Sequence, residues 1–242
     1  MVVVFFLLAF FSEVIGTIGG FGSSVYFVPL AGMFFSTKVV LGITALFHVF
    51  SNLSKIYLFR DHINRQLLGR FGVPSILGVI VGAIGSAYIV SGIGTLILGI
   101  FLISFSGLFL QWPKLSISPT RNNALIGGSA SGFLAGLLGT GGAVRGAAMA
   151  SYNLEKNMFV GTSAAVDLGI DLTRSVIYLG NDYLQVQDLW YIPGLIIISF
   201  LGTWTGKYVL KFIRQELFRK IVLVLIGVIG FVSIVQYLYF LK

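Results

Sequence analysis

The chain has 242 residues, of which 57% are hydrophobic and 10% charged, and its mean hydropathy is +0.97. Soluble domains carry about a quarter charged residues, and disordered chains combine low hydrophobicity with high charge, so the composition excludes both classes. It predicts an integral membrane protein. The net charge of +8 is assigned to loop Lys and Arg on one side of a bilayer rather than to nucleic-acid binding.

The length fits one membrane domain, 1–242, because about 20 apolar residues form one span. The absence of cysteine excludes disulfides and thiolate metal sites, and no cofactor or metal is expected. Hydropathy predicts ten apolar segments, which in chain order are 2–18, 23–35, 39–59, 71–90, 94–110, 124–138, 144–152, 159–179, 189–210 and 218–241. Pro74 and Pro193 are expected near the starts of their spans, where a missing N–H costs little.

Two glycine clusters interrupt this pattern, GTIGGFG at 16–22 and GLLGTGG at 136–142. Dense glycine in an apolar stretch breaks a helix and lets the backbone line a cavity. The two clusters coincide when the sequence is shifted by 120 residues. A shift of 119 residues aligns NLSK at 52–55 with DLTR at 171–174. The chain therefore contains two repeats, about 1–111 and 124–242, joined by a polar linker at 112–123. Repeats with helices broken at matching places are typical of secondary transporters.

The distribution of Lys and Arg indicates how the repeats are oriented. If each broken segment crosses the membrane once, the loop cations divide six against seven. If each segment is a re-entrant hairpin, eleven lie on one side and only Lys38 and Lys242 on the other. Only the second arrangement obeys the positive-inside rule. We therefore predict an all-α fold with two inverted repeats, each made of a re-entrant hairpin and three spans, with both termini outside.

Each repeat carries one helix with a polar stripe. His48, Asn52 and Lys55 share one face at 100° per residue, and the matching helix places Asp167, Asp171 and Arg174 on the same stripe. Charges at membrane depth cost at least ~2.5 kcal/mol each on insertion scales, so these residues face a cavity or partners.

Two interpretations of these charges remain open. Internal salt bridges are the simpler one, with Asp171 neutralising Arg174 and Asp167 neutralising Arg145 or Lys55. The alternative is an anion site, because broken helices expose N–H groups that carry partial positive charge. In that case the two hairpin tips converge near the midplane beside Lys55, Arg145 and Arg174, with Lys55 facing Asn52 and His48. The remaining predicted binding residues are Asn52, His48 and Asp171 on the stripes, with Gly19, Gly20, Gly22, Ser23, Thr140, Gly141 and Gly142 at the breaks.

The chain resembles the TauE/SafE sulfite-exporter family of membrane permeases. The resemblance covers nearly the whole chain and depends on GTIGGFGSSVYFVPL at 16–30, GFLAGLLGTGGAVR at 132–145 and the polar helix of each half. It implies a multi-pass protein of the cell membrane that transports small sulfur-containing anions such as sulfite, thiosulfate or organosulfonates. One departure is that Gly20 and Phe21 become Thr140 and Gly141 in the second half, so the two tips cannot contribute identically.

The residues leave further alternatives for the type of protein and for the coupling of transport. An anion channel could use the same scaffold, whereas a membrane enzyme is disfavoured because two histidines and no cysteine leave little for a metal or nucleophilic site. Export of an anion gains ~2.3 kcal/mol per charge per 100 mV from the membrane potential, so uniport is sufficient. His48 and Asp167, at equivalent stripe positions, are the candidates for proton coupling.

Overall fold

Apolar helices make up almost all of the computed structural model, which describes residues 2–86, 93–112, 114–115, 117–118, 120–139 and 141–240. The α-helices are α1 (Val2–Gly19), α2 (Ser24–Ala31), α3 (Thr37–Phe59), α4 (Arg65–Gly85), α5 (Ile93–Gln111), α6 (Arg121–Leu138), α7 (Gly142–Ser151), α8 (Lys156–Gly180), α9 (Tyr191–Lys211) and α10 (Gln215–Phe240). Five of them, α1, α3, α4, α9 and α10, are long and apolar enough to cross a membrane. The all-α, polytopic membrane fold is thereby confirmed.

The helices match the ten predicted segments, and the main difference lies in α4. It begins at Arg65 instead of residue 71, because the Asn64 side chain accepts from Leu67 N and caps the helix. Pro74 therefore lies inside α4, and the prediction that it stands near the start of the span is wrong. Pro193 lies in the first turn of α9 as predicted, where its missing N–H leaves no helical hydrogen bond unmade.

The chain reverses direction at both glycine clusters. Gly20 and Gly22 have φ of 73° and 93° between α1 and α2, and Gly139 has φ of 73° at the end of α6, a region that only glycine enters at little cost. After the first turn, the backbone of Ser23 comes so close to Gly16 that a Cβ there would lie 2.6 Å from Ser23 Cα. We call α1, α2 and their turn hairpin 1, and α6, α7 and their turn hairpin 2.

Gly136 is not part of the second break, contrary to the prediction. With Gly128 and Gly132 it forms a four-residue spacing along α6, and a Cβ at any of the three would collide with the backbone of α4. Small residues at this spacing let two membrane helices approach closely. The first arm of hairpin 2 therefore stays helical through Leu138.

Helix contacts follow the same scheme in both halves. The first helix of each half packs against the fourth helix of the other, α1 on α9 and α6 on α4, while α3 packs on α8 and α5 on α10. Each of these contacts maps onto another, or onto itself, when the two halves are exchanged.

Loop contacts assign the helix termini to two ends. Lys156 Nζ donates to Leu210 O at 2.9 Å, Arg219 to Leu115 O at 2.7 Å, and Asn64 N to Thr162 Oγ1 at 2.9 Å. We call this end, which comprises 58–65, 112, 114–115, 117–118, 120–121, 151–162 and 207–220, the basic end.

The opposite end comprises 2–6, 32–38 and 180–191. There Phe5 packs on Phe35 and Tyr191 with ring centroids 5.4 and 5.3 Å apart. Hairpin 1 begins and finishes at this opposite end, and hairpin 2 begins and finishes at the basic end. Inversion of the repeats stays a prediction, and these contacts favour it.

Candidate functional site

The polar stripes of α3 and α8 face each other inside the protein. His48 and Asn52 lie near the middle of α3, and Asp167 and Asp171 near the middle of α8; all four are buried. Asn52 Nδ2 donates to Asp171 Oδ2 at 2.6 Å, and this bond joins equivalent positions of the two halves. The stripes and the buried polar groups from α1, α7, α9 and the first hairpin turn form what we call the central polar layer. Its members are Glu13, Thr17, Ser23, His48, Ser51, Asn52, Lys55, Arg145, Ser163, Asp167, Asp171, Arg174 and Thr203.

Arg174 is neutralised on its own helix. Its guanidinium lies 2.7 Å from Asp171 Oδ1, three residues earlier in α8. The same guanidinium donates from Nη1 to the carbonyl of Gly139 at 3.1 Å, which binds it to the end of α6. This pair is the one that the salt-bridge interpretation predicts for Asp171 and Arg174.

Arg145 is neutralised by a neighbouring helix. It lies in the first turn of α7 and makes a bidentate ion pair with the Asp167 carboxylate of α8, the geometry that gives Arg its strongest contacts with carboxylates. Its Nε donates to Ser163 Oγ at 2.8 Å. Its Nη2 donates to the carbonyl of Phe21, at the turn of hairpin 1, at 2.8 Å. Arg145 thus connects the two hairpins.

Lys55 pairs with a residue that the sequence did not single out as its partner. Its Nζ donates to Glu13 Oε1 of α1 at 2.5 Å and to Ser51 Oγ at 2.6 Å. The prediction that Lys55 faces Asn52 and His48 is therefore wrong. The two residues of the pair are 42 positions apart, and Glu13 has no acidic counterpart in the second half, where Gly132 and Phe133 stand. A comparison of the two repeats therefore does not reveal Glu13 as the partner of Lys55.

The Glu13 carboxylate receives more hydrogen bonds than any other acidic group of the layer. Oε1 accepts from Lys55, Ser51, Thr203 and Thr17 at 2.5, 2.7, 2.9 and 3.3 Å, and Oε2 accepts from Ser23 at 2.6 Å. These five donors are hereafter the Glu13 donor cluster. They come from α1, the first hairpin turn, α3 and α9, and so include a residue of each half. The side chain of Glu13 is fully buried.

His48 bridges two parts of the central polar layer. Its Nε2 lies 3.0 Å from Ser23 Oγ, and its Nδ1 lies 3.8 Å from Asp171 Oδ2. Asp167, the other candidate for proton coupling, is bound to Arg145 instead. Gly22 lies between them, because a Cβ there would be 3.5 Å from Asp167 Oδ2 and 3.9 Å from His48 Cε1.

The glycines of the breaks allow close packing around the hairpin tips, and Gly142 allows it between the two tips. A Cβ at Gly142 would collide with the carbonyl of Phe21, and one at Gly141 would lie 2.5 Å from Ala135 Cβ. Gly19 and Gly20 give room to the rings of Phe21 and Phe159, whose nearest atoms would lie 2.9 and 2.5 Å from such a Cβ.

Thr140, also predicted as a binding residue, lies outside the described residues. The tips contribute different groups: hairpin 1 supplies Ser23 and the Phe21 carbonyl, and hairpin 2 supplies Arg145.

Charge in the layer is balanced pair by pair. The three buried cations each contact one buried carboxylate, so the six charges sum to zero. Desolvated charges are tolerated in this paired form, whereas removal of one partner leaves the other uncompensated. Among the residues that the structure describes, no group of three or more His, Asp or Glu side chains could hold a metal ion.

Comparison with known proteins identifies the family. No curated protein and no solved structure matches the chain. The model of one protein family, sulfite exporter TauE/SafE, matches residues 5–232, which include both hairpin turns and both polar helices. The chain therefore belongs to the TauE/SafE family of sulfite exporters, which are membrane transport proteins.

Proposed function

We propose that this protein transports sulfite or a closely related sulfur oxyanion across the cell membrane and binds it in the central polar layer. The observation that carries the proposal is the position of this layer, at the contact of the two hairpin tips and in the middle of α3 and α8. Three cations and several hydroxyl groups converge there. Interrupted helices that meet beside buried polar groups are the usual substrate site of secondary transporters.

The pairing of charges determines how an anion enters. Because the layer is neutral as it stands, an incoming anion adds a buried negative charge unless a cation is released from its carboxylate. Lys55–Glu13 and Arg145–Asp167 each join a hairpin to the polar helix of the same half. Arg174–Asp171 lies within one helix. The two interhelical pairs are therefore the ones that a movement of a hairpin can open.

We propose that transport proceeds by alternating access, and this arrangement of the hairpins supports the proposal. Hairpin 1 returns to the opposite end and hairpin 2 to the basic end, and their tips meet at the Arg145–Phe21 contact. Withdrawal of either tip opens the layer toward one end while the other tip keeps it closed. We expect the anion to bind between the tips, where Lys55 and Arg145 are the most available cations.

A binding and flux experiment tests the proposal. The purified protein is screened against sulfite, thiosulfate, sulfoacetate, sulfate and phosphate by thermal stabilisation, which reports ligands that prefer the folded state, and sulfite flux is then measured in proteoliposomes. Lys55→Ala and Arg145→Ala should weaken binding more than Arg174→Ala, whose charge is matched on its own helix.

Arg65→Ala, at an exposed position of the basic end, serves as the control and should bind as the wild type does. Wild-type affinity in both Lys55→Ala and Arg145→Ala would refute this site.

The inverted arrangement is proposed with it and has its own test. A reporter active only in the cytoplasm should give a signal when inserted in the loop of the basic end at 61–64, and none when inserted after Asn181. Equal signals at the two places would refute it.

Proton coupling is tested through His48 and Asp167. The proposal is uniport, since the membrane potential alone drives an anion outward. If His48→Gln or Asp167→Asn removes a sulfite-driven pH change that the wild type produces in proteoliposomes, uniport is wrong.

A further inference from the structure

We infer that the Glu13 donor cluster is a binding site for the oxygens of the transported anion, and that the carboxylate of Glu13 fills this site in the conformation described here. Glu13 is then a competitor tethered to the protein, and it leaves the donors when the anion arrives. The inference rests on the proposed function and adds to it the place of the anion and the group that it displaces.

The donor cluster has the chemistry of an oxyanion site. One ammonium group and four hydroxyl groups point at two oxygen atoms that carry one negative charge between them. Hydrogen bonds to an ionised acceptor are about twice as strong as those between neutral groups. The donors are single-point donors from three helices and one turn and set no planar geometry, so a pyramidal oxyanion can use them as well as a carboxylate does.

The origin of the donors supports transport rather than local structure. Thr203 belongs to the second half of the chain, whereas Ser51 and Lys55 belong to the first. Ser23 also lies at the first hairpin turn and contacts His48. A ligand held by this cluster would therefore contact one hairpin and the polar helix of its half together with a helix of the other half.

Glu13 and Lys55 lie on different helices, which indicates that the Glu13 carboxylate can move away from the donors. In the second half, Arg174 is neutralised by Asp171 three residues away on the same helix, so no movement of helices separates them. The position equivalent to Asp171 in the first half is Asn52, and α3 has no acid of its own for Lys55. Glu13 supplies the charge from α1, so movement of its side chain away from α3 frees Lys55 for another anion.

The decisive variant is Glu13→Gln, with Asp171→Asn as its matched control. Each removes one buried negative charge of the central polar layer at nearly constant volume. A general electrostatic effect raises the affinity for sulfite equally in both. Competition adds to this effect in Glu13→Gln, whose affinity then exceeds those of both the wild type and Asp171→Asn by tenfold or more. Equal changes in the two variants, or unchanged or weaker binding in Glu13→Gln, would overturn the inference.

A measurement on the wild-type protein decides the question if Glu13→Gln does not fold. The chain contains three glutamates, and the side chains of the other two, Glu155 and Glu216, are 47% and 74% exposed. Protein labelled with ¹³C at the glutamate carboxyl carbon therefore reports on one buried carboxylate. Saturating sulfite should shift the signal of that carboxylate and leave the other two in place. An unchanged signal at saturation contradicts the inference.

The outcomes separate this inference from the proposed function. If the wild type binds sulfite and the Glu13 signal does not respond, the proposed transport function stands and the inference that Glu13 competes with the anion is refuted. Binding of sulfite by Glu13→Gln but not by the wild type supports both the proposed function and the inference, because it shows that the Glu13 carboxylate blocked the site. If neither the wild type nor Glu13→Gln binds any of the sulfur oxyanions in the screen, both are wrong.

Discussion

The two halves of the chain place their polar stripes at equivalent positions but neutralise them differently. In the second half, Asp171 and Arg174 pair within α8. In the first half, Asn52 stands where Asp171 would be, so Lys55 takes its carboxylate from Glu13 of α1. The second half also carries a buried cation on its hairpin, Arg145, where the first half carries a buried anion.

This difference shows how a repeated scaffold can hold an asymmetric site. Each hairpin is tied to the polar helix of its own half by one ion pair, but the hairpin supplies the negative charge in the first half and the positive charge in the second. Opening hairpin 1 therefore exposes the cation of Lys55, and opening hairpin 2 exposes the anion of Asp167. In the proposed transport cycle, Lys55 would then attract an anion in the first step and Asp167 would repel it in the second.

Replacement of Arg145 should produce the largest effect on stability. Arg145→Gln leaves Asp167 as an uncompensated buried carboxylate, and breaking a buried pair in this way costs about 3–5 kcal/mol. We expect that loss in the free energy of unfolding, measured by denaturation in detergent. The double variant Arg145→Gln with Asp167→Asn removes both charges and should regain most of the loss. A double variant as unstable as the single one would show that packing, not charge, causes the effect.

The second largest loss in the free energy of unfolding is expected from a substitution at the α4/α6 interface. A Cβ at Gly132 would collide with the backbone of α4 at Ser75, so Gly132→Ala forces the two helices apart. Overpacking of this kind costs about 1–3 kcal/mol, and we expect the upper end because the obstacle is backbone.

The corresponding interface, α1 on α9, sharpens the comparison. There the close approach depends on α9: a Cβ at Gly202 would meet the Glu13 side chain at 2.8 Å, and one at Gly206 would meet Thr17 Cβ at 2.7 Å. Because the nearest atom would lie 2.7 Å from a Cβ at Gly206 but 1.9 Å from one at Gly132, Gly206→Ala should cost less than Gly132→Ala. The reverse order of unfolding free energies would contradict this.

Much of the architecture could be predicted from the sequence, because local signals carry it. Apolar segments predicted the positions of the helices. Gly20, Gly22 and Gly139 indicated turns with a positive φ, which other residues do not readily adopt. The shift of 119 residues predicted that 52 and 171 are equivalent, and these two residues are hydrogen-bonded to each other. The pairs Asp171–Arg174 and Asp167–Arg145 were also among the predicted alternatives.

What the sequence did not predict depends on contacts between distant segments. Glu13 has no counterpart in the second half, so neither periodicity nor the repeat points to its contact with Lys55. Gly136 was assigned to a break because it stands in a glycine-rich run, although its four-residue spacing from Gly132 was the available sign of helix packing. Pro74 was placed near a helix start because hydropathy set the beginning of α4 at residue 71, whereas the cap at Asn64, seven residues earlier, lies in a polar loop.

The first-half ion pair should be less costly to break than that of the second half. Lys55→Gln leaves the Glu13 carboxylate without its cation, but four hydroxyl donors of the Glu13 donor cluster remain. We expect a loss of about 2 kcal/mol in the free energy of unfolding, the magnitude of one hydrogen bond to a charged group. Arg145→Gln, measured in the same detergent, is the reference. A loss larger than that of Arg145→Gln would mean that the hydroxyl groups do not hold the carboxylate.

The smallest effect is expected where the two halves meet through α5 and α10. Both glycines of the comparison lie in α5: a Cβ at Gly99 would lie 2.8 Å from the Gly230 carbonyl and 2.7 Å from an Ile234 side-chain carbon of α10, whereas a Cβ at Gly107 would have nothing within 4 Å. Alanine is favoured over glycine inside a helix by about 0.5–1 kcal/mol, so Gly107→Ala should raise the free energy of unfolding slightly, and Gly99→Ala should lower it. Because the two substitutions are chemically identical and share one helix, their difference isolates the contact with α10. If both raise stability, α5 and α10 are not packed as closely as the described helices indicate.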